Sequence, residues 1–199
     1  MSEVPLDTPL PVGALDTRSN GWWGMLWLIA TEGALFAYLL FSYYYFAVQN
    51  HMPGTFPPSI PSMQLSLPNT IILLISSVAV AIAQHGIMRG SQLRLIGGIG
   101  AGLLLGIVFL VVQALEWRAQ PFTLASNSYS SLFYTITGFH MAHVVVGVLA
   151  LLALFIWSVR GTFNRARYAH VHIVAVYWHF VDVVWLAVFF SFYITPRIS

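Results

Sequence analysis

The sequence predicts an all-α polytopic membrane protein, a bundle of five transmembrane helices. Three observations predict it. Hydrophobic residues make up 58% of the 199-residue chain and charged residues only 7%, more apolar surface than a single water-soluble domain of that length can bury. Five apolar stretches each reach the ~18 residues needed to cross a hydrocarbon layer ~30 Å thick. The segments between them are too short to form a separate domain.

Residues 1–21 read as a polar cytoplasmic tail, with Pro5, Asp7, Pro9, Pro11 and Asp16 and no apolar core of a cleavable signal peptide. The membrane domain is expected over 22–199. Its first span, about 22–48, carries Glu32. An uncharged, proline-rich connection leads to the second span, about 68–88, where Ser76, Ser77, Ala79, Ala81 and Ala83 offer a face of small side chains. The third span, about 95–115, places Gly98, Gly102 and Gly106 four residues apart, the period at which small residues let helix backbones approach closely. This predicts a packing face against the second span. The fourth span, about 131–157, carries His140 and His143, and the fifth, about 169–194, carries His179 and Asp182.

All eight basic residues are arginine, and their placement sets the expected orientation. Arg18, Arg89, Arg94, Arg160, Arg165 and Arg167 fall on one side, and Arg118 and Arg197 on the other. Basic loops face the cytoplasm, which puts the N-terminus inside and the C-terminus on the periplasmic or external side. Aromatic residues agree, with Trp22, Trp23, Trp157 and Tyr168 at the inner interface and Tyr43, Tyr44, Tyr45, Trp117 and Tyr193 at the outer one. A net charge of +2 gives no basic patch for nucleic acid. The absence of cysteine excludes disulfides, thiolate metal sites and c-type haem attachment. His51 and His85 read as interface residues, and His170 and His172, at the cytoplasmic start of the fifth span, are placed to meet phosphate headgroups.

Ionisable groups inside the spans carry the functional signal. Counting 1.5 Å per residue from each entry side puts Glu32, His140, His143, His179 and Asp182 all about 14 to 20 Å deep, near the midplane. An aspartate there costs about 2.5 to 3.5 kcal/mol on insertion scales, so Asp182 needs shelter. The i, i+3 spacing to His179 suggests a ring N–H bound to the carboxylate. Groups at one depth face one another or a cavity, so the five are expected to form one buried polar cluster across the first, fourth and fifth spans. Glu32 is expected there in its protonated form, because apolar burial disfavours the charged one. The cluster can serve proton exchange or simply fix helix register. A third reading makes His140 and His179 axial haem ligands, as in a membrane-anchored cytochrome or quinol-reactive protein. No complete ligand set with its supporting shell assembles from these residues, and no metal site is expected.

The string Val176-Tyr177-Trp178-His179-Phe180-Val181-Asp182-Val183-Val184-Trp185 resembles the signature of the last helix of subunit III of the haem-copper respiratory oxidases. Two further motifs of that family occur upstream in the expected order, Ala30-Thr31-Glu32-Gly33-Ala34-Leu35-Phe36 and Thr137-Gly138-Phe139-His140-Met141-Ala142-His143. The resemblance covers most of the chain from Trp22 onward, and it is similar to the five-helix bacterial form, since the family's two additional N-terminal helices have no counterpart.

The resemblance implies an accessory, non-catalytic subunit of a proton-pumping terminal oxidase in the bacterial inner membrane. Such a subunit carries no haem or copper itself. It packs beside catalytic subunit I, which holds haem and copper, together with subunit II and in some assemblies a small subunit IV. It stabilises the catalytic subunit, supports proton uptake and holds phospholipid. Glu32 matches the family's carbodiimide-reactive glutamate, Arg160 an arginine that contacts lipid phosphate, and His143 and His179 motif histidines read as structural. Cytochrome c is the expected donor. A quinol oxidase subunit III and the accessory subunit of a nitric oxide reductase are the alternatives.

Overall fold

In a computed structural model, residues 20–49, 63–163 and 168–198 are described. The tail at 1–19, the connection with His51, and Arg165 and Arg167 lie outside the described residues. Five long helices are present: α1 Asn20–Gln49, α2 Met63–Met88, α3 Gln92–Ala119, α4 Ser128–Val159 and α5 Ala169–Phe189. A π-helical turn, Phe190–Ile194, and a last α-turn, Thr195–Ile198, continue α5. All five helical segments are long and apolar enough to cross a membrane.

Most of the helices outrun their apolar windows, because hydropathy marks the hydrocarbon layer whereas a helix runs on until something caps it. α3 starts where the Ser91 hydroxyl accepts from Arg94 N, and α4 where Asn127 Oδ1 accepts from Ser130 N at 2.8 Å. α2 and α4 both end on glycines with positive φ, Gly90 at 78° and Gly161 at 71°. At the first, Ser91 N donates to Gly86 O and Gly90 N to Ile87 O, each at 2.9 Å, which satisfies carbonyls that the helix end leaves open. α2 begins at Met63, ahead of the Pro68 that was expected at its entry, so the proline sits inside the helix. Membrane helices tolerate this.

The small-residue face predicted between the second and third spans is where α2 and α3 meet. A Cβ added at Gly98 would lie 2.6 Å from Ala79 O and 2.8 Å from the Ala83 Cβ, and one at Gly102 would lie 2.6 Å from Val80 Cγ2. α5 closes the bundle through Trp178, which is fully buried and donates its indole N–H to Ser76 Oγ at 3.1 Å. Its ring lies between Gly106 of α3 and Gly147 of α4, where an added Cβ on either would come within 2.7 Å of it. Trp185, two turns further on, donates to Thr70 Oγ1 at 2.9 Å. α1 lies against α4 and α5 and buries only Phe36 and Tyr43 among its thirty residues.

Candidate functional site

Glu32 projects from α1 toward His143 of α4, whose Nε2 lies 3.1 Å from Glu32 Oε2. The other ring nitrogen of His143, Nδ1, is 2.7 Å from the carbonyl of Phe139. A carbonyl only accepts, so Nδ1 must carry a hydrogen. In a neutral ring Nε2 is then the bare nitrogen, and the contact to Glu32 is satisfied only by a carboxylic acid donating to it. The remaining arrangement is an imidazolium donating to a carboxylate. In either arrangement the hydrogen bond between them uses one proton. Tyr177 of α5 donates its hydroxyl to His143 O at 3.2 Å, and the Phe36 ring meets the imidazole edge-on at 5.1 Å. Three helices therefore fix the pair.

The pair is not sealed. Leu28, Glu32, Ala142, His143, Val146 and Tyr177 line a groove of about 250 Å³ along the side of the bundle. Glu32 keeps 34% of its side-chain surface exposed there and His143 15%.

The single cluster of five groups does not form. His140 is wholly buried, stacked on Trp185 with ring centroids 4.8 Å apart and edge-on to Phe109, and neither ring nitrogen has a hydrogen-bond partner among the described residues. The expected bond between His179 and Asp182 is absent as well. His179 Nδ1 instead meets Ser77 Oγ of α2 at 2.5 Å. Asp182 is 4% exposed, and its carboxyl lies near the same Ser77 hydroxyl without forming a well-aligned hydrogen bond to any described residue. Depth fixes how far along its helix a group lies, and the angle around the helix decides what it meets. Here α2 presents a hydroxyl to His179 that spacing within α5 cannot reveal.

Of the residues expected to meet headgroups, Arg160 caps α4 and is exposed, and His170 is exposed beside the rings of Trp157 and Phe163. His172 differs. It is half-buried, with Nδ1 at 2.5 Å from the Gln84 amide and its ring stacked on Trp22, because the first turn of α5 is packed between α1 and α2. The postulated haem ligands, His140 and His179, are committed to these different neighbours, and among the described residues no three His or acidic side chains converge on a point.

Sequence reasoning missed a second buried carboxyl. Glu116, assigned there to the connection after the third span, lies inside α3 and is 2% exposed. Its Oε1 accepts the hydroxyl of Tyr193, which the π-helical turn presents at 2.5 Å. Gln113, one turn away on the same helix, and Asn69 of α2 are fully buried beside it, with Asn69 Nδ2 donating to Phe109 O at 3.2 Å. The signal was present, since Gly102, Gly106, Phe109, Gln113 and Glu116 follow one helical stripe that continues the glycine face.

Comparison with known proteins agrees with these motifs. The family model described as cytochrome c oxidase subunit III matches residues 17–196. Cytochrome c oxidase subunit 3 of Drosophila yakuba is 34% identical over 177 residues, covering 86% of this chain and 68% of the relative. The protein of the same name from Phoca vitulina is 33% identical over the same coverage, and that from Spodoptera frugiperda is 40% identical over 141 residues, 71% of this chain and 95% of the relative. With its motifs on α1, α4 and α5 and a family match running almost end to end, this chain belongs to the cytochrome c oxidase subunit III family.

Proposed function

We propose that this chain is the non-catalytic subunit III of a proton-pumping terminal oxidase that takes electrons from cytochrome c and reduces oxygen to water. The observation that carries the reading is the family match over residues 17–196, and the names of the matched relatives supply the donor. In this role the chain packs beside the catalytic subunit that holds haem and copper, with subunit II as a further partner, in the bacterial inner membrane. The N-terminus faces the cytoplasm.

The work of the chain itself is to brace its partner and to hold a proton. Glu32 and His143 share that proton at the side of the bundle, with the ring orientation set by Phe139 O and the backbone held by Tyr177. A proton that can rest on either of two groups suits a relay that supports uptake by a neighbour. His140, His179 and Asp182 serve the register of α4 and α5. Arg160 and His170, both exposed at the α4–α5 end, meet lipid phosphate.

A reduced-minus-oxidised visible spectrum tests the reading. The chain purified alone should be silent, and haem bands should appear only when it is isolated with its membrane partners. That assembly should oxidise cytochrome c with consumption of oxygen. Haem bands in the isolated chain would overturn the assignment and make His140 and His179 the first ligands to examine. Oxidation of quinol in place of cytochrome c would move the chain to a quinol oxidase.

A further inference from the structure

The corner between α2 and α3 carries a groove distinct from the one beside Glu32. Val78, Ala81, Ile82, His85, Gly86, Arg89 and Arg94 enclose about 440 Å³ there. Val78, Ile82, His85 and Arg89 lie on one stripe of α2, a run of about 16 Å at 1.5 Å per residue. Its lower part is apolar and open, with Val78 60% and Ile82 51% exposed. Its upper end carries two exposed guanidinium groups.

Those two charges are held together by the turn. Gly86 has no side chain where Arg94 crosses, and a Cβ there would lie 2.5 Å from the Arg94 Cβ. Gly90, at φ 78°, reverses the chain so that Ser91 N reaches Gly86 O. Among the described residues neither guanidinium has a counter-charge. The acidic residues among those described are Glu32, Glu116 and Asp182, of which the first faces His143, the second takes the Tyr193 hydroxyl and the third is buried in α5. His85 directs Nδ1 to Ala81 O at 2.8 Å, which leaves its outer edge beside the arginines.

We propose that the α2–α3 corner binds one anionic phospholipid, with the phosphate between Arg89 and Arg94 and an acyl chain along Val78, Ala81 and Ile82. Paired arginines present forked donors that match phosphate oxygens, and a phosphate supplies a negative charge that none of the described residues brings to the corner. The apolar floor begins directly below them, inside the membrane span, where a lipid tail is the natural occupant. A soluble anion would leave that floor unused.

The test is native mass spectrometry of the purified membrane complex that contains this chain, supplied with equal amounts of phosphatidylglycerol and phosphatidylcholine. The wild type should retain phosphatidylglycerol in preference to phosphatidylcholine. R89Q/R94Q should lose about thirtyfold in that retention, the size expected when two basic groups facing anionic headgroups are removed. R118Q, at the other end of α3, should leave it unchanged. Equal retention by wild type and R89Q/R94Q would overturn the proposal, as would loss of a protein subunit with an unchanged lipid count, which would make the corner a protein interface. If R89Q/R94Q does not assemble, the wild type decides alone: the preference should weaken as salt rises, and an absent or salt-independent preference would overturn the proposal.

Discussion

Two glutamates lie within the membrane-spanning helices, and the fold houses them in opposite ways. Glu116 is sealed, with Tyr193 and Gln113 against it and Asn69 of α2 reaching Gln113 behind them. Glu32 stands in an open groove with His143 as its one side-chain partner among the described residues and a third of its side-chain surface accessible. The sealed carboxyl works as a joint, since removing it strands the groups that were packed to meet it. The open one is reachable from the side of the bundle, as the proposed proton exchange requires. The same functional group is thus sealed at one place and accessible at another, and access is what separates the structural role from the proposed one.

Four measurements would break or sharpen that contrast. The largest difference should come from chemical reactivity. A hydrophobic carbodiimide applied to the complex in membranes should modify Glu32 and leave Glu116 untouched, and peptide mapping that finds both labelled would remove the distinction. Next is Glu116→Ala, which strands the Tyr193 hydroxyl and leaves a void, and should cost about 3 to 4 kcal/mol of stability, read as a lowered thermal midpoint of the complex. Tyr193→Phe removes only the donor and should cost about 1 to 3 kcal/mol by the same assay. Smallest is Glu32→Gln. Its amide can donate to His143 Nε2, so assembly and thermal stability should stay within about 0.5 kcal/mol of the wild type, while carbodiimide labelling disappears. An unassembled Glu32→Gln complex would show that this pair, too, is a joint.

Asp182 extends the comparison to α5. Spacing alone predicts that its loss strands His179, but His179 is held by Ser77 instead. Asp182→Asn should therefore shift the thermal midpoint by under about 1 kcal/mol, and Ser77→Ala should be the change that releases the His179 ring.

What could be read from the chain follows from what each signal measures. Five spans were legible because hydrocarbon thickness imposes a length that composition reveals. The α2–α3 contact was legible because glycines at spacing four leave one arrangement that brings backbones together. That Glu32, His140, His143, His179 and Asp182 were candidates was legible from the expense of placing them in lipid. Which of them meet was not. The azimuth of a helix is set by its neighbours, so His143 finds Glu32 while His140, three residues away, is turned into the rings of Trp185 and Phe109. Glu116 was hidden for another reason: the apolar window stops at Leu115, one residue short of it, while the helix runs to Ala119.

The indole of Trp178 has a consequence for how this protein is made. α5 follows the other four helices in the chain, yet the slot its tryptophan fills is cut into α2, α3 and α4 by Ser76, Gly106 and Gly147. Because α5 is made after them, those three helices cannot close this slot with its native side chain until α5 is present. The last long helix of the chain is the wedge that locks the three before it, and a chain interrupted before Trp178 lacks the side chain that fills their slot.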